Sequence, residues 1–283
     1  MQLCTIRTPR GSRPAVVLSG HVVVLASDLL GRETGDLMSL LSPPAIEELS
    51  AALVGGLDRW DPIEPDYVAP YRNPGKILGI GLNYSAHADD LGASVPRTSP
   101  ASFLKASHTI VGPGEPIIVP AGIGKVTAEA EVGLVFGREC YQVSEKEALD
   151  HVVGVVPILD QTAEEILLEN PRFLTRVKNY PTFFSFGPVV TTMDEVLERV
   201  GDLERLSVTT RRNGRDHRSD TVSGMTFSPA ELVSFHSRVM PFHVGDILST
   251  GTPGAVVIDA GDTVTCLLGG GLGELTNPVT GAV

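Results

Sequence analysis

The chain has 283 residues, 42% of them hydrophobic and 20% charged, and its formal net charge is −12. That length supplies a real core for one large domain or two modest ones. The acidic balance excludes the Lys/Arg stripe with which a nucleic-acid binder neutralises phosphates, and it suits either a protein that gathers carboxylates around a cation or one with an acidic surface. No apolar run approaches the roughly eighteen residues of a membrane span, and MQLCTIRTPRGSR lacks a signal-peptide core, so no membrane association is expected. Cys4, Cys140 and Cys266 are scattered without CxxC spacing, which predicts no zinc site and a reducing compartment, the cytoplasm.

In chain order, residues 1–70 read as a small α+β unit followed by a linker. RPAVVLSG and HVVVLAS predict a hairpin over 13–27 about a Ser-Gly turn. SPPAIEELSAALVGGLD predicts a helix that starts at its serine and prolines and stops at Gly55-Gly56. WDPIEPDYVAPYRNPGK is proline-rich and linker-like, and nothing in this segment suggests chemistry.

Residues 71–283 read as the main domain. KILGIGLNY predicts a strand, NYSAHADDLGASVPRTSP a polar loop with one short helical turn, and SFLKASHTIVGPGEPIIVP a strand pair about a Gly-Pro turn. KVTAEAEVGLVFG (125–137) alternates. Its even positions are apolar, whereas Thr127, Glu129, Glu131 and Gly133 share the other face, with the two carboxylates about 7 Å apart along the strand. Such alternation suits a strand with one side in water; the same pair of acids also suits a divalent-metal site. HVVGVVPILD is an apolar run buried on both sides and ending at Asp160, which reads either as a helix N-cap or as a functional carboxylate at a strand end. The helical TAEEILLENPRFLTRVK leads to Lys178, followed by the strand-like FFSFGPVVTT. The C-terminal part alternates short strands with Gly-Asp turns, and its STGTPGAV turn (249–256) offers Thr252 and backbone N–H groups to an anion. The sum is a β-rich α+β fold, a roll or barrel with a few helices outside.

Taken in order, NY-x-x-H, P-x-x-F-x-K, E-x-E, a strand-end Asp, K-x-x-x-T-F, GD-I-x-x-TGTP and GLG-x-L-x-N make the sequence from Lys76 onward resemble the fumarylacetoacetate hydrolase superfamily. Residues 1–70 then correspond to that family's variable small domain. The resemblance implies that Glu129, Glu131 and Asp160 bind Mg²⁺ or Mn²⁺. It implies that Lys178 meets substrate oxygens beside the metal, and that Lys105, Gly251 and Thr252 contact substrate. His87 matches a lid histidine that activates water together with an acid three residues later. Two positions depart from the pattern. The lid acid is Asp90 where glutamate is usual, with Asp89 beside it, and Glu164 stands where an arginine is common.

The implied activity is metal-dependent hydrolysis of a carbon–carbon bond in a small keto acid or β-diketo acid, in a homodimer. A divalent ion stabilises the resulting enolate as a Lewis acid, Lys178 adds positive charge, and His87 supplies a base with a reference pKa near neutrality. A decarboxylase or isomerase would use the same site, and a catalytically silent binding protein would keep the same fold.

Overall fold

The computed structural model describes residues 1–18, 22–54, 62–90, 92 and 94–282. The Ser19-Gly20 turn and the Gly55-Gly56 helix stop lie outside these residues. At the N-terminal end, β1 (Gln2–Thr8), β2 (Gly11–Val17) and β3 (Val23–Leu25) form an antiparallel meander, joined by α1 (Ala26–Leu30) and α2 (Pro43–Leu53). The predicted hairpin is β2–β3; β1 was not foreseen. Pro43 and Pro44 fit the first turn of α2, where their missing N–H groups would have no helical partner.

Next come β4 (Ile77–Gly81), α3 (Ser85–Asp90), β5 (Ala101–Lys105), β6 (Ile110–Val111), β7 (Ile117–Val119) and β8 (Val126–Phe136). The short helical turn expected after NY is α3. The strand pair expected about the Gly-Pro turn does not form. β6 pairs in parallel with β10 (Phe184–Phe186), whereas β7 pairs in parallel with β17 (Gly273–Gly281) in the second sheet. The reason lies at the turn itself, where the Asn277 amide donates to the carbonyls of Gly112 (2.7 Å) and Glu115 (2.8 Å) and draws the chain towards β17.

Beyond α4 (Glu145–Ala148), β9 (Val152–Ala163) runs antiparallel to β8 along almost its whole length. It does not end at Asp160. The ladder continues to Ala163, opposite Val126, so Asp160 is neither a strand end nor a helix cap. The helical stretch that follows is two pieces, α5 (Glu164–Glu169) and α6 (Leu174–Lys178), separated at Asn170-Pro171, where proline cannot continue the helix. Then come β11 (Val189–Thr192), α7 (Met193–Val200), β12 (Ser207–Arg212), β13 (Arg215–Thr221), α8 (Pro229–Ser237), β14 (Ile247–Ser249), β15 (Ala255–Ile258) and β16 (Thr263–Leu268).

Two sheets result. The large one has the path β3-β2-β1-β11-β9-β8-β14-β4-β5, with β6, β10 and β15 attached beside it, and the smaller is β13-β12-β16-β17-β7. Both paths are open, so among the described residues the strands form an α+β, strand-rich fold without a closed barrel. The N-terminal meander joins the large sheet through β1 and β11, with Gln2 opposite Thr191. The even positions of β8, from Ala128 to Phe136, lie in the main apolar core. Its odd face is buried too, which removes the half-solvated reading of that strand.

Candidate active site

The polar face of β8 gathers the site. Glu129 lies directly across the ladder from Asp160 on β9, and Glu131 follows two residues along the same face. The three carboxylates are buried, and each contributes one oxygen to a group whose members all lie within 4.8 Å of one another. Uncompensated, that much buried negative charge would be strongly destabilising. Two lysines answer it. Lys178, closing α6, donates to Glu129 Oε2 at 3.0 Å and to Asp160 Oδ2 at 2.7 Å. Lys105, closing β5, has its ammonium on Asp160 Oδ1, and a longer contact of 3.4 Å reaches the Gln161 carbonyl.

The spacing P-x-x-F-x-K puts Phe103 and Lys105 on one face of β5, so this strand serves both lysines. Lys105 reaches Asp160, while the Phe103 ring lies 4.6 Å from Lys178 Nζ. Gly79 stands opposite Phe103, and any side chain there would collide with the ring. Glu131 is held from the other side, where Ser249 Oγ and the Gly251 N–H (2.9 Å) both donate to Oε2. Gly251 has φ +93°, and a Cβ there would come within 2.9 Å of Asn83 Cβ, so glycine is required for this amide to reach Glu131.

The electrostatics follow from burial and neighbours. Burial, with the Asp160 and Glu129 charges added, pushes the Glu131 carboxyl up to about 8. Burial works the same way on Glu129, but Lys178, His87 and the Thr162 hydroxyl (2.6 Å from Oε1) outweigh it and hold Glu129 below the usual carboxylate range. Burial lowers Lys105 to about 8 against the pull of Asp160. For Lys178 burial loses to Asp160, Glu129 and Glu131, and its ammonium is held above the ordinary range. Two ammonium groups thus face three carboxylates, a surplus of one acid group, and Glu131, the one without a lysine, is the one that burial and its acidic neighbours keep protonated near neutral pH. An all-oxygen donor set with that surplus fits a hard divalent cation such as Mg²⁺ or Mn²⁺.

Beside the triad opens a cleft of about 390 Å³, whose lining includes Glu129, Lys178, His87 and Glu164. His87 comes from α3 and is buried, with Nδ1 unpartnered among the described residues. Burial lowers its pKa, and Glu129 only partly restores it. Asp90 makes no hydrogen bond to His87. Its two oxygens accept from Arg218 Nη2 on β13, at 2.9 and 2.8 Å. Thr252 is buried, but its hydroxyl is engaged with Gly254 in its own turn, donating to the carbonyl and accepting from the amide, both at 3.2 Å. Three contributors were missed from the sequence: Ser249, Arg218 and Asn83. Asn83, inside the NY-x-x-H motif, donates to the carbonyls of Thr250 (2.9 Å) and Phe227 (3.1 Å) and accepts from the Phe227 amide, tying the root of α3 to the TGTP turn. Its motif was a signal that could have found it; Arg218 carried none.

Residues 76–280 match the model of the fumarylacetoacetate (FAA) hydrolase C-terminal domain. The chain belongs to the fumarylacetoacetate hydrolase family. It is an enzyme of that family, whose members are hydrolases or isomerases. A relative from Burkholderia cenocepacia (strain HI2424) is 35% identical over 239 residues, covering 84% of this chain and 79% of its own, and carries only a provisional hydrolase name. The fold matches maleylpyruvate hydrolase from Sphingobium sp. SYK-6, solved with manganese(II) and pyruvate, with TM-score 0.82, 25% identity and full coverage of both chains. It also matches the 5-carboxymethyl-2-hydroxymuconate delta-isomerase of Mycobacterium smegmatis, with TM-score 0.78, 28% identity and full coverage of both. No described helix in this family member is long and apolar enough to cross a membrane.

Proposed function

We propose that the protein is a divalent-metal-dependent hydrolase that cleaves a carbon–carbon bond in a small 2,4-diketo acid of the acylpyruvate kind. The observation that carries this reading is the convergence of three buried carboxylates within 4.8 Å, beside Lys178 and the unpartnered Nδ1 of His87, in one cleft. Glu129, Glu131 and Asp160 would hold Mg²⁺ or Mn²⁺, and the ion would supply Lewis-acid stabilisation of the negative charge that develops on the keto oxygen. Lys178 adds a fixed positive charge at that oxygen, preorganised by its two carboxylate partners. His87 Nδ1 takes a proton from water, whose oxygen adds to the distal carbonyl carbon. The bond between that carbon and the methylene then breaks, the electron pair passes to the pyruvate fragment as its enolate, and the proton returns to the methylene carbon. The products are pyruvate and a carboxylic acid.

A proton-transfer isomerase on the same residues is the second reading, favoured by the isomerase among the structural neighbours. The chain is proposed to act in the cytoplasm as a homodimer. The test is to incubate the Mg²⁺- or Mn²⁺-loaded protein with acylpyruvates and with oxaloacetate, following pyruvate release. Pyruvate from acylpyruvates, lost on chelation, is expected. Release from oxaloacetate alone would assign a decarboxylase, and absorbance change without release an isomerase.

A further inference from the structure

We infer that the cleft selects a keto acid with one carboxylate and an uncharged, apolar far end. This deepens the reading above and rests on its placing the keto-acid head at the triad. Away from the triad the cleft is walled by Phe103, Leu167, Leu168, Pro171 and Leu174, with Glu164 the charged group on that wall. Leu168 is 64% exposed and stands at the mouth. Among the described lining residues the fixed cation is Lys178, and its ammonium lies on Glu129 and Asp160 at the triad, where the keto-acid head sits, and not on the far wall. Arg172, in the turn between α5 and α6, and Arg176, on α6, are exposed and outside the lining, and so is Lys125. A second carboxylate would therefore leave water for an apolar wall with no partner. Glu164 repels it when ionised and offers no positive charge in either state. An alkyl or aryl tail meets the leucines instead, and each buried methylene should tighten binding about fourfold.

A matched pair tests this without depending on turnover. 2-Oxohexanoate and 2-oxoadipate have the same six-carbon chain and differ in a terminal methyl against a carboxylate. Calorimetry on the Mn²⁺-loaded full chain should show 2-oxohexanoate binding at least tenfold tighter, and tighter than 2-oxobutanoate. Glu164→Arg should narrow or reverse that preference; Glu164→Gln, the gentler change, should narrow it, with circular dichroism reporting that each variant is folded. Equal or tighter binding of 2-oxoadipate by the unmodified protein overturns the inference, and so does failure of all three acids to bind. If the preference holds while no diketo acid is hydrolysed, the inference stands and the hydrolase reading falls. If diketo acids are hydrolysed but the dianionic ones are preferred, the reverse is true.

Discussion

Glu131 is the carboxylate that lacks a lysine, and it shows most directly why the site calls for a cation. Its neighbours are a hydroxyl and an amide, burial and the Asp160 and Glu129 charges outweigh the pull of Lys178, and its carboxyl is pushed up to about 8. Glu131→Gln should lower affinity for Mn²⁺ by more than tenfold and abolish turnover while leaving the circular dichroism spectrum unchanged; metal affinity equal to that of the parent would remove Glu131 from the ligand set. His87 makes the complementary case. Its pKa is lowered by burial, so the imidazole stays neutral, and competent as a base, on descending below pH 6.5. The acidic limb of kcat/KM should therefore lie below pH 6.5. His87→Gln should cut kcat by about 10²–10⁴-fold with metal affinity retained, the range typical of a lost general base. A His87→Gln enzyme of full activity would move the base elsewhere.

Elements matter here because two of them each deliver more than one residue. β5 carries Phe103 to the cleft and Lys105 to the triad; the 249–254 turn carries Ser249 and Gly251 to Glu131 and packs against Asn83. Gly251→Ala forces a side chain into φ +93° and against Asn83, which should destabilise the protein by about 1–3 kcal/mol in thermal melts and weaken metal binding, through the displaced amide. The α3 helix is tied down by Arg218, whose guanidinium bridges both oxygens of Asp90. Arg218→Ala should lower kcat about tenfold with little change in metal affinity, because α3 rather than the triad loses its anchor; a loss of metal binding instead would make Arg218 part of the metal site. The alternation in β8 was legible from sequence because period two is a local pattern that survives whatever the strand packs against. The Asp90–Arg218 pair was not, since its members are 128 residues apart, Asp90 reads as the lid acid of His87 and Arg218 alone carries no signal. The same limit hid β1, whose role depends on pairing with β11, and the true length of β9, where Asp160 resembles a terminus until Glu129 is set opposite it.

For the whole molecule, the large sheet runs unbroken from the N-terminal meander through the triad strands to β5, so residues 1–17 are part of the scaffold that supports the site. Removing β1 would strip one edge from β11, next neighbour of β9. That truncation should lower both the melting temperature and the cooperativity of unfolding, whereas an unchanged melt would make the meander dispensable. The proposed homodimer predicts sedimentation at twice 30.0 kDa at micromolar concentration.

The triad also sits on β8 and β9, the two longest strands, which pair along nearly their full lengths in the middle of that sheet. Such a ladder opens only when the protein as a whole does. The backbone amides of the strand residues from Ala128 to Glu131 and from Ile158 to Gln161 should therefore be among the slowest to take up deuterium, exchanging at the rate set by global unfolding. Saturating Mn²⁺ should slow them all by a common factor, the ion's binding free energy appearing as protection of the entire fold. Heat would then extinguish activity and structure in a single transition.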